Sequence, residues 1–136
     1  MSAPAKHVIL DWAGGLRFRG GAPDRPGVLT DGDGQEAPDP MSMLLIAAAA
    51  CSGADVVSIL AKMQVRLERF RIEVVGTRRE DHPRRYVDIA LVFELAGEGL
   101  DEAKARRAID LSLQKYCSVI HSLAPDITIG HELKLG

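Results

Sequence analysis

Apolar positions recur with different periods along the chain, and the changes of period divide it into elements. Residues 7 to 12 (His-Val-Ile-Leu-Asp-Trp) and 16 to 19 (Leu-Arg-Phe-Arg) are short β-prone runs. They flank Ala13-Gly14-Gly15, a spacing that predicts a hairpin. Val28-Leu29-Thr30 predicts a third short strand, and residues 31 to 40, rich in Asp, Gly and Pro, read as loop.

From residue 41 to about 63 the strand pattern gives way to Ala, Leu, Ile and Met nearly all the way round, without proline. This predicts a long helix that is buried rather than surface-amphipathic. Asp39 fits the N-cap and Pro40 the first helical position, where the missing N–H costs nothing. Cys51 falls about ten residues into this helix, roughly 15 Å from its start. The helix dipole reaches it only weakly there, so a thiolate would need other partners.

Phe70, Ile72 and Val74 alternate with polar residues, as do Val87, Ile89, Leu91 and Phe93, so residues 69 to 78 and 86 to 95 predict an antiparallel pair. Residues 101 to 117 show helical spacing through Ala105, Ala108, Ile109, Leu111, Ser112, Leu113 and Tyr116, and end at Cys117. After the break at Ala124-Pro125, Ile127, Ile129, Leu133 and Leu135 alternate as a last strand. The order implies an α+β fold in one domain, 1 to 136, with helices against antiparallel sheet.

Composition adds limits. The chain has 136 residues, 46% hydrophobic and 26% charged, with a net charge of −2 and no basic stripe, which points away from a nucleic-acid partner. The N-terminus lacks the apolar run of a signal peptide, and no membrane-spanning stretch is expected, so the expected location is cytoplasmic. In that reducing compartment two cysteines are either small buried hydrophobes or a redox pair.

The remaining chemistry is sparse. His7, His82, His121 and His131 lack ligand spacing and neither cysteine sits in a CxxC motif, so neither a metal nor a cofactor is expected. His121 follows Cys117 by four residues and would share its face on a continuous helix. Lys115 could lend a cation, or simply meet the carbonyls of a helix end. Gly14-Gly15 and Gly20-Gly21 lack the context of a phosphate loop, and Ser52-Gly53 lies mid-helix rather than on a nucleophile elbow.

Two segments carry a resemblance. Residues 37 to 60, Ala-Pro-Asp-Pro-Met-Ser-Met-Leu-Leu-Ile-Ala-Ala-Ala-Ala-Cys-Ser-Gly-Ala-Asp-Val-Val-Ser-Ile-Leu, resemble the central-helix motif of the OsmC/Ohr family of osmotically inducible and organic hydroperoxide resistance proteins. Residues 108 to 119, Ala-Ile-Asp-Leu-Ser-Leu-Gln-Lys-Tyr-Cys-Ser-Val, resemble its second-cysteine motif. With the strand order, the likeness runs from about residue 7 to 135 and looks closest to the YhfA-like branch.

The resemblance implies an OsmC-like fold, with antiparallel sheets around a long central helix, in an intertwined homodimer whose active sites lie at the subunit interface. It implies a thiol-dependent peroxidase of oxidative stress defence, in which Cys51 attacks an organic or hydrogen peroxide and Cys117 resolves the sulfenic acid. An external dithiol then resets the pair. In such peroxidases an arginine of the N-terminal sheet activates the cysteine, and a glutamate just after the helix-start proline orients that arginine. Arg17 and Arg19 lie in the right region, but Ser42 stands where the glutamate is usual. Glu36 and Asp39 are the nearby carboxylates that could substitute. The absence at position 42 also leaves open an alternative, a dimeric, weakly catalytic or non-catalytic stress-associated binding module of the same fold.

Overall fold

Glycines set the first turn. In the computed structural model, which describes residues 4–136, β1 (Ile9–Trp12) and β2 (Arg17–Gly21) are joined through Gly14 and Gly15, at φ 96° and 56°. Glycine holds such angles without strain. The Trp12 indole N–H donates to the Gly15 carbonyl at 2.8 Å and closes the hairpin. β3 (Val28–Asp31) pairs antiparallel with β2, giving the order β1-β2-β3, with Trp12 opposite Phe18 and Arg17 opposite Asp31. These strands and the loop after them form one compact unit ending at Leu44, and Leu45–Gly136 form another.

The loop 32 to 39 is organised by one carboxylate. Asp31, only 4% exposed, accepts the N–H groups of Asp33 and Glu36, both at 3.1 Å. These hydrogen bonds lower its pKa below the usual 3.8. Asp39 then caps α1 (Pro40–Lys62) by accepting the Ser42 N–H at 2.9 Å, with Pro40 in the first position. Gln64 ends the helix in the left-handed region at φ 66°, which lets the Val65 N–H reach back to the Leu60 carbonyl at 3.0 Å.

The helix is less enclosed than its sequence predicts. Ala48, Ser52, Val56 and Leu60 form a buried stripe at every fourth position, while Ile46 and Val57 stay 50% and 47% exposed. The expectation of no membrane-length apolar stretch is also corrected, since α1 has 23 residues and a mean hydropathy of 2.0 over its best window. Ser52, Asp55 and Ser58 interrupt the run as residues, yet the surrounding Ala, Val, Ile and Leu carry the average. Its inner face packs on protein: a Cβ added to Gly53 would lie 3.2 Å from the Ile72 side chain.

β4 (Arg66–Arg78) and β5 (Tyr86–Glu98) pair antiparallel, with Ile72 opposite Phe93 and Val74 opposite Leu91. β5 is the central strand, and its alternate residues Ile89, Leu91, Phe93 and Leu95 are at most 2% exposed. β6 (Thr128–Leu135) joins its other edge in parallel, with Phe93 opposite Leu133. The sheet is therefore mixed rather than wholly antiparallel. The helical segment between β5 and β6 is the crossover that a parallel pair requires.

That segment departs from the single helix expected over 101 to 117. Asp101 caps α2 (Glu102–Leu111) through the Lys104 N–H at 2.8 Å. A π-helical turn, Ser112–Tyr116, follows, and Cys117 is extended at φ −71° and ψ 100° before the short α3 (Ser118–Ser122). The Cys117 N–H donates to the Ser112 carbonyl, five residues back, at 2.8 Å. On a regular α-helix side chains five apart would diverge by about 140°. The wider turn reduces that angle, and Ser112 and Cys117 both pack on α1.

Candidate functional site

Cys51 and Asp55 lie four residues apart on α1, so their side chains share one face. Across from them the π-helical turn delivers Cys117, which is fully buried in a cluster with Ala48 and Ile120, against which Cys51, Leu113 and Ile129 pack. Both cysteines are free thiols, Cys51 partly exposed. The two sulfurs and a carboxylate oxygen of Asp55 all lie within 4.8 Å of one another.

Burial pushes the Cys117 thiol up from 9.0 to about 11, and the nearby Cys51 and Asp55 add to the rise, opposed by a hydrogen bond with the backbone at Ile120. The Cys117 sulfur lies 4.0 Å from the Ala48 carbonyl oxygen, an acceptor for its proton. A buried neutral thiol beside a more accessible one is thus the arrangement that folding produces.

Asp55 is held from behind. The Ser112 hydroxyl donates to Asp55 Oδ2 at 3.0 Å, and the Ser52 and Ser112 hydroxyl oxygens are 2.9 Å apart. Because an ionised carboxylate only accepts, the single Ser112 proton goes to Asp55 and Ser52 donates to Ser112. Both serines are fully buried. On its other side Asp55 borders an open groove with Ser58, Ile59, Lys62, Arg107 and Tyr116.

The other predicted residues are distributed as follows. Arg17 Nη1 bonds Glu36 Oε2 at 2.7 Å, and its Nε donates to the Gly14 carbonyl at 3.3 Å. Arg19 is exposed opposite Asp11 in the β1–β2 register. Asp39 serves as the cap of α1. Lys115 Nζ sits 5.2 Å from the centre of the Tyr116 ring, a cation–π contact on the surface. The helix that would have put His121 on the face of Cys117 is interrupted at Cys117, and His121 is exposed, its N–H donating to the Cys117 carbonyl at 3.1 Å.

Sequence reasoning passed over Asp55, Ser52 and Ser112. The available signal was a carboxylate one helical turn from Cys51 in a helix with no other acidic residue. Ser52 and Ser112 carried none, because small hydroxyls fit a buried stripe as readily as alanine.

A helix-borne thiol facing a second thiol beneath a mixed sheet defines an α+β domain with a paired-cysteine centre. Residues 32–132 match the family model described as OsmC-like protein. Over 127 residues the chain is 40% identical to Protein YhfA of Escherichia coli strain K12, covering 93% of this chain and 95% of the relative. A solved structure of a hypothetical protein from Aquifex aeolicus VF5 superposes with TM-score 0.85 at 28% identity, over 98% of this chain and 99% of the other. The organic hydroperoxide resistance protein OhrB of Bacillus subtilis shares the fold at TM-score 0.60 and 18% identity, covering 97% and 98%. The chain belongs to the OsmC-like family.

Proposed function

We propose that the protein is a thiol-dependent peroxidase of oxidative stress defence, acting on organic hydroperoxides or hydrogen peroxide. The observation that carries this reading is the pair of free thiols within 4.8 Å, one partly exposed and one buried. The Cys51 thiolate attacks the peroxide O–O bond, the alkoxide leaves and takes a proton, and Cys51 becomes a sulfenic acid. The Cys117 sulfur then displaces that oxygen, a water departs, and a disulfide forms. An external dithiol returns two electrons and two protons to regenerate both thiols. Burial pushes the Cys117 thiol up to about 11 and keeps it from solvent, so the partly exposed Cys51 is the thiol that meets the peroxide.

The same reading includes a homodimer in the cytoplasm. Each unit exposes apolar side chains of the kind a second copy covers, Ile9, Leu10 and Trp12 on β1 in one and Ile46 and Val57 on α1 in the other. A solution mass of twice the 14.7 kDa chain is the expected result.

Mass spectrometry after one equivalent of cumene hydroperoxide tests the chemistry. Loss of two hydrogens per chain is expected in the wild type, and no peroxide consumption in Cys51→Ser. An unchanged mass in the wild type would instead favour the weakly catalytic binding module, to which the missing carboxylate at Ser42 points.

A further inference from the structure

We propose that Cys51, Asp55 and Cys117 also form a three-ligand site for a thiolate-preferring divalent ion of the zinc type, with the fourth position open. Two sulfurs and one carboxylate oxygen are a donor set that such ions take, and an open fourth position is the pattern of reactive rather than purely structural sites. The i, i+4 spacing puts Cys51 and Asp55 on one face of α1, and the π-helical turn brings Cys117 to it from another segment. The donors therefore converge from two rigid elements.

The distances suit an ion after a small adjustment. Metal–sulfur and metal–oxygen bonds of about 2.3 and 2.1 Å in a tetrahedron separate the sulfurs by about 3.8 Å and sulfur from oxygen by about 3.6 Å. The donors lie within 4.8 Å of one another, so side-chain rotation of about 1 Å closes the site without moving the backbone.

An outer shell is already built. Ser112 donates to Asp55 Oδ2 and is itself held by Ser52, which fixes the carboxylate beside the two thiols. Hydrogen bonds of this kind orient metal-binding carboxylates. The sequence hides the site because its ligands are 66 residues apart at the extremes, with neither CxxC nor paired-histidine spacing.

Where the peroxidase reading holds, ion binding and disulfide formation exclude each other, since both use the same two sulfurs. The bound ion would hold the thiols reduced, and oxidation to the disulfide would expel it.

The test uses the full chain, reduced and metal-free, titrated with cobalt(II) alone. Expected are the visible bands of tetrahedral cobalt with a thiolate-to-cobalt charge-transfer band, saturating at one ion per chain and displaced by zinc(II). Loss of an outer hydrogen bond to a metal ligand weakens binding about 10- to 100-fold, so Ser112→Ala should fall in that range. Asp55→Asn and Cys117→Ser should each lose at least as much, with circular dichroism confirming that the variants fold. A spectrum without the thiolate band, or affinity unchanged in both folded ligand variants, would show an adventitious surface ion and overturn the proposal. No peroxide is present, so a chain that binds cobalt but reduces no peroxide sinks only the peroxidase reading, and the converse result sinks only this one.

Discussion

Ser52 and Ser112, 60 residues apart in sequence, share a 2.9 Å hydrogen bond with no exposed surface on either residue, and through it α1 is joined to the π-helical turn. Removing the Ser112 hydroxyl strands that of Ser52 in the core, at a cost of about 1–3 kcal/mol, whereas Ser112 keeps Asp55 as its acceptor when Ser52 is truncated. Ser112→Ala should lower stability by that amount in urea unfolding, and Ser52→Ala by less. The double variant should lose less than the sum, because it leaves no orphaned partner.

Gly76 faces the buried ring of Tyr86, and a Cβ at that position would run into the ring carbons and press on Leu45. Gly76→Ala should destabilise the protein by about 1–3 kcal/mol, the usual cost of overpacking. Thermal unfolding of Gly76→Ala against the same change combined with Tyr86→Leu checks the cause, since the smaller side chain should recover part of the loss.

Asp31 gives the N-terminal unit an acid-sensitive loop. Its folded pKa lies below the usual 3.8, so its contribution is present above that value and is lost as pH falls through the lowered one. The protection of the amides of residues 32 to 39, relative to their intrinsic exchange at the same pH, should therefore fall on acidification below about pH 4 in the wild type. In Asp31→Asn the protection should already be lowered at neutral pH and should change little with acid.

The Arg17–Glu36 ion pair supplies the arginine–carboxylate combination that Ser42 does not. Glu36 is largely exposed and Arg17 partly so, and Glu36→Gln should change stability by about 1 kcal/mol or less. If the pair serves the thiol chemistry, Arg17→Ala should slow peroxide consumption more than Arg19→Ala, with Glu36→Gln falling between them. Equal rates in all three variants would remove Arg17 from the mechanism.

Much of this architecture was legible because local signals agreed with one another. Asp39, Pro40 and the apolar run marked α1, and alternation marked β4, β5 and β6 within a few residues. Alternation reports which face a side chain takes and says nothing of strand direction, so the parallel pairing of β6 stayed hidden. The two thiols were recognisable from their motifs. Asp55 was not, because its importance depends on Cys117 arriving from a distant segment. The break before Cys117 was equally hidden, since the spacing from Ala105 to Tyr116 fits a regular helix.

The turn at Ser112–Tyr116 contains one residue more than a regular helix would need to span the same rotation. It behaves like slack in a screw thread: the surplus is taken up within the turn, before the chain becomes extended at Cys117. Where the sulfur points is consequently set by the closure of that turn, the Cys117 N–H on the Ser112 carbonyl.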